Sequence, residues 1–60
     1  MERLVSRLMP GDVIKSERGP LTVEKVRQGK HHLTGYWWDV FVDGRILGTF
    51  YDGDVLPVLS

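Results

Sequence analysis

His31 and His32 are the only side chains here whose ordinary pKa lies near neutrality, so acid–base or metal chemistry would start with them. Adjacent histidines chelate poorly by spacing alone, and a metal site needs a third or fourth ligand. On a strand the two rings would point to opposite faces. Both close a basic run, Arg27 to His32, "RQGKHH". Arg27, Lys30 and the backbone around Gly29 could contact phosphates, with Arg18 and Lys25 adding charge. Together with His31 and His32 these residues form a candidate nucleic-acid-binding set. The acidic motif "DGD" at Asp52–Asp54 lacks the further oxygen ligands and closing Glu of a calcium loop, and it reads as a turn. No GxGxxG or GxxxxGK phosphate loop occurs. Ser6, Ser16 and Ser60 have no nucleophile-elbow context. There is no cysteine, which removes thiolate ligands, disulfides and a cysteine nucleophile. The inventory predicts no enzyme, no catalytic residue, no metal, no cofactor and no small-molecule substrate.

Aromatic side chains are the stronger signal. "GYWWDVFVDG", Gly35 to Gly44, sets Trp37 beside Trp38 with Tyr36 before and Phe41 after; Phe50 and Tyr51 follow. Successive strand residues point to opposite faces, so both faces of this segment carry apolar bulk. One face can line a core and the other needs a reason. Strong twist in a small barrel could bury parts of both, with an N-terminal helix covering the rest. The second face could also be a homo-oligomer interface, since interface cores favour Trp, Tyr and Phe. Or it could be an open groove for a protein, peptide or nucleic acid, because aromatic rings stack on bases. Asp39, Asp43, Asp52 and Asp54 nearby would repel phosphate, which tilts the hairpin toward protein partners. Tyr36, Trp37, Trp38, Phe41, Phe50 and Tyr51 are therefore the candidate partner-binding residues.

The elements that must position these residues are short. Asp43-Gly44 fits a two-residue type I′ hairpin turn between strands Tyr36–Val42 and Arg45–Tyr51. Continued without interruption, that turn sets Phe41 opposite Ile46, Asp39 opposite Gly48 and Trp37 opposite Phe50. Val13 to Ser16 reads as a strand between the turns "PGD" and "ERGP". Leu21 to Gln28 alternates at Leu21 and Val23 and then skips to Val26, a phase slip that predicts a bulge. Gly29 to Gly35 reads as a polar loop. Val55 to Leu59 reads as a last strand, placed at an edge or a bulge by Pro57, which has no ladder donor. Leu4, Val5, Leu8 and Met9 make one stripe on a helix, and Pro10 disfavours helical geometry at Met9. A short N-terminal helix or turn over residues 1–9 is expected.

Sixty residues make one domain, and the 42% apolar content argues against disorder. A chain this short buries only about 60% of its unfolded surface, so a partner chain would add usefully to its stability. No apolar run approaches the roughly 20 residues that span a bilayer, and a soluble, cytoplasmic protein without membrane contact is expected. The formal net charge is zero. It divides unevenly: Met1–Gly35 holds seven Lys/Arg against four acids, and Tyr36–Ser60 holds Arg45 alone against four Asp. Subunits could meet basic side to acidic side.

Five short strands joined by tight turns predict an all-β chain, and 60 residues are too few for an immunoglobulin-type sandwich. A small, strongly bent five-stranded barrel remains. Through "PGDVI", "GPLTVEKV" and "WWDVFVDGRILGTF" the chain resembles the SH3-like barrels of signalling, translation and transcription proteins. Its general pattern is also similar to short accessory proteins of bacteriophages. The "ALYDY"-type segment and paired prolines of peptide-binding SH3 domains are not visible, so no binding residues transfer. The expected function is a non-enzymatic interaction or assembly module that binds a protein partner or itself through the aromatic hairpin. The alternative is a nucleic-acid-binding barrel that uses Lys25 to His32.

Overall fold

Both central residues of the Asp43-Gly44 turn adopt positive φ, 50° and 74°, as a type I′ turn requires. The turn joins two strands of a computed structural model that describes residues 1–33 and 35–59; Thr34, inside the expected loop, and Ser60 lie outside the described residues. Six strands follow one another: β1 (Glu2–Leu4), β2 (Val13–Ser16), β3 (Gly19–His31), β4 (Gly35–Val42), β5 (Arg45–Tyr51) and β6 (Val55–Pro57). β2, β3, β4 and β5 form an antiparallel meander, and β1 pairs antiparallel with β6. The two sheets meet at one bridge, Ile14 to Val58, reinforced by Leu59 N donating to Val13 O at 2.8 Å.

The all-β expectation holds. The closed five-stranded barrel does not, because the described residues form two sheets of six strands and the outer edge of β5 takes no strand. Nor does the N-terminal segment form an α-helix. It is β1 followed by a single 3-10 turn, Val5–Arg7. Stripe spacing alone cannot hold so short a helix, whereas extended Glu2–Leu4 gains ladder bonds from β6. Of the stripe, Val5 and Leu8 enter the core, while Leu4 and Met9 stay exposed.

The phase slip in β3 is a bulge between Val23 and Lys25, as the sequence predicts. Glu24, the displaced residue, turns its carboxylate back to accept from the Gly44 N–H at the hairpin turn. A second bulge was not legible. β4 and β5 pair as expected at Val42–Arg45 and Phe41–Ile46, but Leu47 then drops out of the ladder and Val40 faces Gly48. The remaining pairs are Asp39–Thr49, Trp38–Phe50 and Trp37–Tyr51, so the Asp39–Gly48 and Trp37–Phe50 pairings are overturned. The extra residue swaps the faces of every β5 side chain beyond it. Phe50 consequently lies on the core side with Trp38.

The expected polar loop from Gly29 to Gly35 is also shorter. Gly29, Lys30 and His31 continue β3 and pair with Trp37, Tyr36 and Gly35. β3 thereby runs 13 residues and outlasts β5, whose last pair is Trp37–Tyr51.

Val5, Leu8, Ile14, Val23, Val40, Val42 and Val58 are the buried core, flanked by Leu21, Val26, Trp38, Leu47, Phe50 and Leu56. Among the described residues no aromatic ring is fully buried. Five of the seven buried residues are valine, whose β-branched side chain packs well on a pleated strand surface.

Candidate interaction surface

Three rows cross the outer face of β3, β4 and β5, each set by the observed register. Gly29, Trp37 and Tyr51 form the first, Arg27, Asp39 and Thr49 the second, Lys25, Phe41 and Ile46 the third.

The first row is aromatic. The Trp37 indole lies across the backbone of β3 at Gly29, and a Cβ at that position would overlap the ring. Glycine in a strand interior is a weak strand former, and its use there is to admit such a close approach. Tyr51, opposite Trp37, is half exposed.

The second row is polar and stitched. Thr49 Oγ1 donates to Asp39 Oδ1 at 2.7 Å, and Arg27 Nη2 donates to Asp39 Oδ2 at 3.1 Å. Asp39 is only 7% exposed and is the one buried charged side chain among the described residues. The Thr49 hydroxyl first, then the Arg27 guanidinium, hold its carboxyl below the ordinary carboxylate range, against the opposing effect of desolvation. Each carboxylate oxygen has a donor, so the burial is satisfied.

In the third row, Lys25 Nζ stands 4.7 Å from the Phe41 ring centroid, and the Arg27 guanidinium carbon stands 5.5 Å away. Two cations therefore cover Phe41 from above, while Ile46 beside it is 47% exposed. Beyond the end of β5 the β3–β4 hairpin is a two-stranded tip. There Lys30 Nζ lies 5.7 Å over the Tyr36 ring. The His31 and His32 rings stack at 4.8 Å and do not point apart, because His32 has left the strand for the turn. Leu33 N donates to His31 Nδ1 at 3.1 Å.

The structure divides the aromatic set. Trp37, Phe41 and Tyr51 share the outer face, and Tyr36 belongs to the tip. Trp38 and Phe50 oppose each other on the core side, and both pack against the buried cluster. Trp38 Nε1 donates to Asp52 Oδ1 at 3.0 Å, which ties the strand to the following turn. The basic set divides too. Lys25 and Arg27 stand over the outer face and Lys30, His31 and His32 at the tip. Arg18 sits in the β2–β3 turn, separated from the tip by the length of β3. No group of three His, Cys, Asp or Glu is placed to hold a metal among the described residues.

Sequence reasoning missed the parts Gly29, Thr49 and Asp39 play. Gly29 carried a usable signal, a glycine eight residues before a tryptophan across an antiparallel turn. The Thr49–Asp39 contact carried none, since it depends on the Leu47 bulge.

No helix is long and apolar enough to cross a membrane among the described residues. Comparison with protein-family models, curated proteins and solved structures gives no match.

Proposed function

We propose that this chain is a non-enzymatic binding module on an open, SH3-like small barrel, and that it engages a protein partner through the outer face of β3, β4 and β5. One observation carries the reading: Trp37 lies against Gly29 beside half-exposed Tyr51, with half-exposed Ile46 beside Phe41 on the same face, while the N-terminal segment, the natural cover, spends Val5 and Leu8 on the opposite, core side. Aromatic surface framed by polar groups is the composition of binding hot spots. The charge around it favours a protein over a phosphate backbone. Arg27 is already committed to Asp39, and Asp43, Asp52 and Asp54 stand on the neighbouring turns.

A displayed peptide library, panned on the wild-type chain and counter-selected on Trp37→Ala, tests this reading. Peptides that bind the wild type at micromolar concentration and lose at least about tenfold on the folded variant are expected. A library that yields no Trp37-dependent binder overturns it.

The three cation–aromatic contacts along β3 support a second reading, single-stranded nucleic acid on the same strand. Labelled single- and double-stranded oligonucleotides at low salt are its probe. Binding that weakens steeply with salt and is reduced in Lys25→Ala and Lys30→Ala would favour it over the protein reading.

A further inference from the structure

Among the described residues two long strand edges are open, that of β5 and that of the Lys25–His31 half of β3, and the β3 edge carries Lys25, Arg27, Lys30 and His31. On the opposite side of the meander, β2 is bridged to the β6 segment, and β6 is paired to β1. Proteins usually guard such edges with charge, proline or brevity. β1 is short and begins with Glu2 and Arg3, and β6 is short and holds Pro57. β5 has neither device beyond its first residue: Ile46 to Tyr51 is six uncharged residues in a row with no proline. The Leu47 bulge kinks its start, and Asp54 closes its end by accepting from the Tyr51 N–H at 2.8 Å and donating its own N–H to Tyr51 O at 3.0 Å, leaving Gly48–Phe50 as the regular run with a free edge. A shallow groove of about 430 Å³, lined by Ser16, Glu17, Arg18, Leu21, Arg45 and Leu47, opens alongside.

We infer that β5 pairs antiparallel with β5 of a second copy of this chain, forming a two-fold dimer with one continuous eight-stranded sheet. Charge distribution selects the second copy as the occupant. Arg45 is the sole Lys or Arg from Tyr36 to the end of the chain, and Asp52 and Asp54 follow the other end of the strand. A two-fold axis near the strand centre, at Gly48 or Thr49, sets Arg45 of each copy against the partner's Tyr51–Asp54 turn. Both ends of the interface then close on opposite charges. The same operation brings Ile46 and Tyr51 of both copies onto one outer face, extending the aromatic surface without consuming Trp37. For a chain with seven buried core residues among those described, the added pairing would also add usefully to stability.

The test is solution mass by light scattering from about 5 µM to 1 mM, with amide exchange of β5 read by NMR over the same range. A dimer whose outward β5 amides gain protection with concentration is expected. Ile46→Lys places one edge lysine in each copy and should weaken the dimer by about tenfold or more. Trp37→Ala should leave the dimer intact, which separates this inference from the outer-face reading. A monomer throughout overturns the inference, as does a dimer whose β5 amides stay unprotected or which ignores Ile46→Lys. Peptide binding lost in Trp37→Ala would survive either failure.

Discussion

Trp37 and Trp38 are neighbours in the chain and opposites in the fold. Trp38 turns inward, packs on the valine core with Phe50, and anchors its indole N–H on Asp52. Trp37 turns outward and lies on a glycine. The core side is apolar and held by volume. The outer side is a mosaic in which Trp37 and Phe41 frame a buried carboxylate with two donors. The contrast teaches that apolar bulk on both sides of a strand does not mean two cores: one face is closed by packing, the other by hydrogen bonds and stacked cations that leave Tyr51 and Ile46 half exposed.

The sharpest way to break this contrast is to truncate each indole. Trp38→Ala should cost about 3 kcal/mol and leave much of so small a domain unfolded in urea titrations. Trp37→Ala should cost about 1 kcal/mol and keep a cooperative transition. If both variants unfold alike, the outer face is core and the proposed surface is lost. Next in size is Gly29→Ala, whose methyl must displace the indole, at about 2 kcal/mol. Combined with Trp37→Ala it should become nearly neutral. A double-mutant cycle showing no coupling would mean that Trp37 does not rest there.

A smaller effect follows from the Asp39 network. Its carboxyl is held low in the folded state, so its stabilisation is complete above the ordinary carboxylate value. That stabilisation fades as pH falls below the ordinary carboxylate value through the lower folded-state pKa. Asp39→Asn should lower the urea midpoint at pH 7 and flatten its decline at acid pH, below the ordinary carboxylate value. Some decline will remain, since Asp12 is also held low, by the Met9 N–H and then by Arg3. An unchanged acid profile in Asp39→Asn would place the pH dependence elsewhere. Smallest of all, Lys25→Ala should remove about 0.5 kcal/mol of cation–ring attraction over Phe41 while increasing the ring's exposure.

Much of this fold was legible from local chemistry. Asp43-Gly44 fixed a type I′ hairpin and its first two pairs, because few dipeptides tolerate positive φ at both positions. The skip from Val23 to Val26 marked the β3 bulge, since a face lost and regained needs one extra residue. The N-terminal stripe misled, because Val5 and Leu8 reach the core from a 3-10 turn as well as from a helix. The candidate site was legible as a list and not as a surface. Its six aromatics were identifiable by type, but whether Phe50 or Tyr51 joins Trp37 on the outer face depended on Leu47.

The amino-acid sequence by itself determined strand chemistry, turn positions and the concentration of aromatic side chains between Tyr36 and Tyr51. Those are short-range properties, set by backbone sterics and alternation. Tertiary structure alone decided that Leu47 leaves the ladder, that Phe50 goes inward, that Trp37 finds Gly29, and that Asp39 is buried with Thr49 and Arg27. Each depends on how far the sheet must bend to close over a core of valines, and that curvature belongs to all the strands together.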